Sequence, residues 1–231
     1  MEEKPKQTVG DVGHSLLKGA LSGVPLAGGL ASEIFNLIMA PPLTKRRDEW
    51  MISIAEGLKG LEEKIEGFKV EDLSKNESFV TTVMHATQAA IRNHSKEKLE
   101  ALRNAVLNAA LKNEPDEDMQ MMFLNWIDDF TPWHLRILYF FDSPEKWLKL
   151  SEYEFSNIAE ASPLDLFFHV FPELKDRPQY FELLLQDLAD LKELLSEEKI
   201  RQKMQRPAYL RFSHTTNLGK LFLRFISSPL N

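Results

Sequence analysis

The sequence contains no cysteine, which excludes disulfides, iron–sulfur clusters, thiol nucleophiles and thiolate zinc sites, and suits a cytoplasmic protein. Long apolar runs are missing too. Near the N-terminus two charge-free stretches, Gly19–Ser32 (14 residues) and Ile34–Thr44 (11 residues), are divided by Glu33, and each falls short of the ~18 apolar residues a spanning helix needs. The opening MEEKPKQTVGDVGH lacks the basic and then apolar order of a signal peptide, so export is not expected.

Signatures of local chemistry are also lacking. The six histidines (His14, His85, His94, His134, His169, His214) never stand three or four residues apart, so no helix offers a metal pair or an H-E-x-x-H site. No G-x-S-x-G elbow occurs, Gly219-Lys220 lacks the rest of a phosphate loop, and Gly10-x-x-Gly13 follows no strand pattern. No catalytic, cofactor-binding or metal residues are therefore assigned. His134, beside Trp133 and close to Asp128 and Asp129, is the best single acid–base candidate. The expectation is a structural histidine at the surface or half-buried, bonded to those carboxylates. The acidic pairs themselves read as solvated faces.

What is present is an ordinary globular composition, 43% hydrophobic and 27% charged over 231 residues. A net charge of −7 opposes wholesale coating of nucleic acid. Glycine is sparse and clustered, with six of ten between Gly10 and Gly29, and Gly19-x-x-x-Gly23 is a spacing that lets helices approach closely. Residues 1–43 are read as a glycine-rich apolar hairpin carrying Leu26, Leu30, Glu33, Ile34 and Leu37. It either packs on the body, enters a membrane conditionally or docks on a partner. Glu33 disfavours constitutive spanning, since a carboxylate at the bilayer centre costs about 2.5–3.5 kcal/mol.

From Thr44 onward apolar residues recur at spacings of three and four, the helical period. Trp50, Ile54, Leu58, Leu61, Ile65 and Phe68 predict one helix, and Ser74 with Glu77 a capping box for the next, whose stripe is Val80, Val83, Met84, Thr87, Ala90 and Ile91. Ser95 caps a third, with Leu99, Leu102, Val106 and Ala109 inward. Pro115 opens a fourth, which buries Met119, Met122, Phe123, Trp126, Ile127 and Phe130. Thr131-Pro132, Ser143-Pro144 and Ser162-Pro163 each set a hydroxyl cap before proline and start short helices. A longer helix from Pro178 carries Phe181, Leu184, Leu188, Leu191 and Leu195 on one face. Alternation in Ala208–Ser213 predicts the single small β-hairpin, and Thr215-Thr216-Asn217 caps a last helix.

Three helices, a hairpin and a closing helix resemble a winged-helix module. The first helix of that likeness is Thr131-Pro-Trp-His-Leu-Arg-Ile-Leu-Tyr-Phe-Phe-Asp-Ser-Pro, the helix from Pro178 takes the recognition slot, and Thr215-Thr-Asn-Leu-Gly-Lys-Leu-Phe-Leu-Arg-Phe-Ile follows the wing. More broadly, Val24-Pro-Leu-Ala-Gly-Gly, Ser32-Glu-Ile-Phe and Pro42-Leu-Thr-Lys-Arg-Arg-Asp-Glu-Trp50 resemble a family of uncharacterised prokaryotic proteins with a glycine-rich N-terminus and a helical body. That resemblance implies a fold and no activity.

Charge then bears on function. Residues 131–198 hold 6 basic and 14 acidic side chains, whereas 199–231 hold 7 basic and none acidic. The wing is positive, with Lys199, Arg201, Lys203, Arg206 and Arg211 as candidate partner-binding residues. Yet the recognition slot carries Glu182, Asp187, Asp190 and Glu193, which phosphates repel. The expectation is a mainly α protein in three parts (1–43 hairpin, 44–130 helical body, 131–231 winged-helix-like module). It is expected to be non-enzymatic, cofactor-free and regulatory or scaffolding, acting on a protein partner or by self-association. Nucleic-acid binding through the wing and conditional membrane contact are the rival expectations.

Overall fold

A computed structural model of the chain describes residues 40–111, 115–150, 162–202 and 212–230. The chain divides into two compact units, Met1–Arg46 and Arg47–Asn231, and of the first only residues 40–46 are described. The described part is mainly α: α1 (Ala40–Lys64), α2 (Val70–Leu73), α3 (Glu77–Arg92), α4 (Lys96–Ala110), α5 (Glu117–Asp129), α6 (Pro132–Asp142), α7 (Pro144–Leu150), α8 (Pro163–Val170), a 3-10 turn (Pro172–Leu174), α9 (Pro178–Gln186), a π-turn (Asp187–Leu191), α10 (Glu197–Arg201) and α11 (Asn217–Ile226). Among the described residues there is no β-strand, hairpin or winged helix, only one isolated antiparallel bridge between Leu195 and Thr215. Most of the predicted strand Ala208–Ser213 lies outside the described residues, as does the predicted hairpin of residues 1–43 up to residue 39.

Caps place most helix starts where the sequence has them. Ser95 accepts from the Lys98 N–H and Ser162 from the Asp165 N–H, and proline occupies the first turn of α6, α8 and α9. Four expectations shift. α1 stops at Lys64, ahead of Ile65 and Phe68, and Gly67 follows at φ +79. Ser74 is still helical and closes α2, so the cap of α3 is Asn76, whose extended backbone lets its side chain accept from Phe79 N–H. Asp116, not Pro115, directs the start of α5 by accepting from Met119 N–H. The helix from Pro178 ends at Gln186, runs into the π-turn, and leaves Leu195 in extended chain.

The phase of α3 also differs. Its buried face is Phe79, Thr82, Ala86, Ala89 and Ala90, while Val80 and Met84 are exposed. Small side chains let α3 approach α4 and α5 closely, a gain that a reading based on the bulkiest apolar residues misses. Trp50 Nε1–H donates to Thr87 Oγ1 at 2.9 Å and fixes α1 on α3. At Gly57 an added Cβ would stand 2.8 Å from the tip of the Leu107 side chain, which would have to shift where α1 crosses α4.

One continuous core runs from Trp50 to Ile226. Its largest buried side chains include Phe123, Phe140, Phe141, Phe167, Phe181, Phe222 and Phe225. Phe123 meets Phe222 edge-on at 5.2 Å, and Phe222 meets Phe130 at 5.9 Å, a geometry that aligns ring edges with ring faces. α11 is seated by polar contacts at both ends. At its C-terminal end the Asn104 amide donates to Ile226 O (3.0 Å) and the Asn108 amide to Phe225 O and Ser227 O (2.8 Å each), carbonyls that a helix end otherwise leaves open. At its N-terminal end Gly219 lies so close to the bridge that a Cβ would stand 2.2 Å from Leu194 O.

Asn108→Asp keeps the shape but turns a donor into a charged acceptor facing those carbonyls. We expect a loss of about 2–3 kcal/mol in urea unfolding. Gly219→Ala should cost about 2 kcal/mol or more by overpacking against backbone, and an unchanged unfolding midpoint for either variant would refute the seating described.

Candidate interaction surface

The predicted site residues fare differently. Lys199 and Arg201 lie exposed on α10. Arg201 is turned back onto the protein, with Nη2 2.6 Å from Glu182 Oε2 and Nε 2.6 Å from Glu197 Oε1. Lys203, Arg206 and Arg211 lie outside the described residues, and so do Leu26, Leu30, Glu33, Ile34 and Leu37.

His134 is fully buried rather than at the surface or half-buried. Its Nδ1 accepts from Thr131 N–H at 2.9 Å, with Thr131 Oγ1 3.0 Å away. The proton therefore sits on Nε2, which donates to Asp187 Oδ2 at 3.2 Å. The predicted contact to Asp128 or Asp129 is thus replaced by one to the π-turn. Phe130 stacks on the ring at 4.8 Å. With both nitrogens committed, no lone pair is left to take a proton from a substrate. Burial pushes its pKa down, against the pull of Asp187.

Around this point α3, α4, α5 and α6 converge on a polar junction. Lys98 is buried and donates from Nζ to Asp128 O at 2.7 Å, at the negative end of α5. Burial lowers its pKa, and Asp128 and Asp129 oppose that. Asp128 pairs with Arg92 and accepts from Asn93, and Arg136 pairs with Glu97, whose pKa it holds at about 2. These bonds close a helix end and join four helices. Asp128 is half-buried in them, whereas Asp129 is exposed. Among the described residues no group of three or more His, Asp or Glu could hold a metal ion, and no helix is long and apolar enough to cross a membrane.

A second polar group ties the bridge to α6. Asp142 Oδ1 accepts from Ser213 Oγ (2.9 Å) and Thr215 Oγ1 (3.1 Å), while His214 N–H donates to Phe141 O at 2.8 Å. The His214 ring is buried and its Nε2 has no hydrogen-bond partner. Burial, with Lys199 nearby, lowers its pKa to about 4.

Among the described residues two surfaces combine exposed apolar side chains with a recognisable shape. An apolar depression of about 250 Å3 lies between α1, α2 and α3, walled by Leu58, Val70, Leu73, Phe79, Val83 and Met84. The other is the outer face of α9 and the π-turn, where Gln179, Glu182, Leu183, Gln186, Asp190 and Leu191 are all exposed, the two leucines at 62% and 66%. Sequence reading places Leu191 inward, because it extends the helical period through the π-turn. Its flank of Asp190 and Glu193 was the available signal that the chain faces water there. No protein-family model, curated protein or solved structure matches this chain.

The two histidine pKa values fix the sign of an acid response. Unfolded histidine takes up a proton near 6.5, which the folded His214 and His134 resist, so their share of stability is intact above that pH and is lost below it, for His214 as pH falls toward about 4. Glu97 acts lower, between about 4.5 and 2. Between pH 7 and about 4.5 we expect His214 alone to remove about 2–3 kcal/mol. His214→Met should retain that amount in urea titrations at the two pH values, and an equal pH slope in both proteins would contradict the assignment.

Proposed function

We propose that this protein is a non-enzymatic regulatory or scaffolding protein of the cytoplasm that acts by binding another protein, a second copy of itself included. The observation that carries the reading is the sign of the charge on α9. A winged helix that reads DNA lays this helix in the major groove, where phosphates call for Lys and Arg. Here the exposed charged side chains of the helix and its π-turn are Glu182 and Asp190, the arginine at its cap, Arg177, lies over the Tyr180 ring, and Arg201 of α10 is spent on Glu182.

The winged-helix likeness of residues 131–231, and with it the likeness to the uncharacterised prokaryotic family, belongs to this proposal. Its support is the pairing of extended chain: Ser196 N–H donates to His214 O and Thr216 N–H to Leu194 O, with Phe141 O on the far side of His214. The basic residues Lys199 to Arg211 fall between the two paired stretches, which is the place of a wing. Fold of this kind carries no function by itself, so the charge decides.

One set of measurements on the intact chain tests the reading: retention by random-sequence duplex DNA and by anionic vesicles at about 0.15 M salt, beside light scattering with and without extract of the source cells. We expect a protein complex or a defined oligomer, and no retention by either polyanion. DNA binding abolished by joint replacement of Lys203, Arg206 and Arg211 with Ala would overturn it in favour of a nucleic-acid binder. Vesicle binding lost on removal of residues 1–43 would overturn it in favour of a membrane-acting effector.

A further inference from the structure

We infer that the outer face of α9 and its π-turn is the docking surface, and that its occupant is a basic amphipathic helix of the partner, anchored on Leu183 and Leu191. The inference rests on the protein-binding reading above and adds the surface and the chemistry of what it takes.

Two leucines eight residues apart would not share a side of an α-helix, since two turns take about 7.2 residues and the remainder rotates the second by roughly 80°. The π-turn absorbs that surplus. Lys192 N–H donates to Asp187 O at 3.1 Å, an i→i+5 closure that widens the second turn. The inner side of the turn is fully engaged: Asp187 holds His134, Leu188 is buried, and Lys192 lies 5.6 Å over the Trp126 ring. The extra residue is thus taken up without loosening the core, and Leu183 and Leu191 come out two turns apart on the solvent side, about 11 Å along the axis. That is the rise of seven residues in a facing helix, the repeat at which an amphipathic helix presents anchors.

Charge selects the class of occupant. Glu182 and Asp190 flank the leucines, Gln186 lies between them and Gln179 one turn before Leu183, and the exposed cations Lys175 and Arg177 stand ahead of the first turn, Arg177 over the Tyr180 ring at 4.3 Å. The face already binds a guanidinium, since Arg201 from α10 sits on Glu182 at 2.6 Å. A helix carrying Leu or Ile seven residues apart with Lys or Arg on either flank matches both features, and an acidic helix meets like charge.

The probe is a fluorescent synthetic helix of about 21 residues, roughly six turns, with Leu at heptad spacing and Lys and Arg beside it. Its counterpart has Glu in place of every cation. Anisotropy titration against the intact chain at about 0.15 M salt should show saturable binding of the basic helix alone. The joint change Leu183→Ser and Leu191→Ser, at exposed positions that leave the core untouched, should weaken it by about tenfold or more, and Asp190→Lys by about tenfold with a larger effect at lower salt. Met84→Ser, in the depression beside α3, should change nothing. Absence of saturable binding, or equal binding to wild type and the α9 variants, would overturn the inference, the latter marking mere attraction of a polycation to an acidic protein. Weakening by Met84→Ser alone would move the site to α3 and overturn it equally. In each of those outcomes, a native complex still seen by light scattering leaves the protein-binding reading standing, and loss of that complex as well removes both.

Discussion

Two asparagines one turn apart on α4 hold the arrangement together. α4 is the most enclosed helix, with Ala101, Leu102, Ala105, Val106, Leu107, Ala109 and Ala110 all buried. An amide on such a helix must find acceptors inside the protein. The carbonyl end of α11 supplies them to Asn104 and Asn108, and several placements follow. With that end fixed, Phe222 and Phe225 enter the ring cluster around Phe123. Gly219 is brought against Leu194, and the bridge to Thr215 is positioned with it. Leu188 then receives Leu194 N–H and Leu195 N–H on its carbonyl, which sets how α9 and its π-turn are presented. A donor–acceptor match within the core thus governs the orientation of a surface remote from it in sequence.

Helix existence was legible because it depends on neighbours in sequence. Ser95, Thr131 and Ser162 stand as caps where hydroxyls precede a periodic run, and the prolines after Thr131, Ser143 and Ser162 stand in opening turns. The failures depend on tertiary partners. Ser74 and Asn76 are both competent caps, and only the short turn of α2 decides between them. The inward face of α3 is set by how closely α4 and α5 can approach, which favours Ala86, Ala89 and Ala90 over Val80 and Met84. A π-turn has no residue signature at all. It exists because Asp187, Leu188 and Lys192 each satisfy a different neighbour.

The candidate surface was half legible. The acidic sign of the recognition slot can be read from Glu182, Asp187, Asp190 and Glu193, although Asp187 serves the core by holding His134. The basic stretch after Ser196 can also be read, yet not that Arg201 would fold back onto Glu182. His134 shows the opposite case. Its place in the first turn after Thr131-Pro132 made an interaction with the cap predictable in kind, since a side chain three residues into a helix reaches back to the cap. Its second partner, 53 residues away, has no counterpart in local spacing.

The π-turn gives this chain a surface that tolerates a change of length in one direction only. Deletion of one residue near Ala189 leaves Leu183 and Leu191 seven residues apart, about two turns of an ordinary helix, so the i→i+5 closure reverts to i→i+4 with the pair still in line. One inserted residue sets them nine apart, and Leu191 is carried round the cylinder unless a second widened turn absorbs it. Two proteins of the same architecture that differ by one residue here therefore share a recognition face in the first case and present different faces to the same partner in the second.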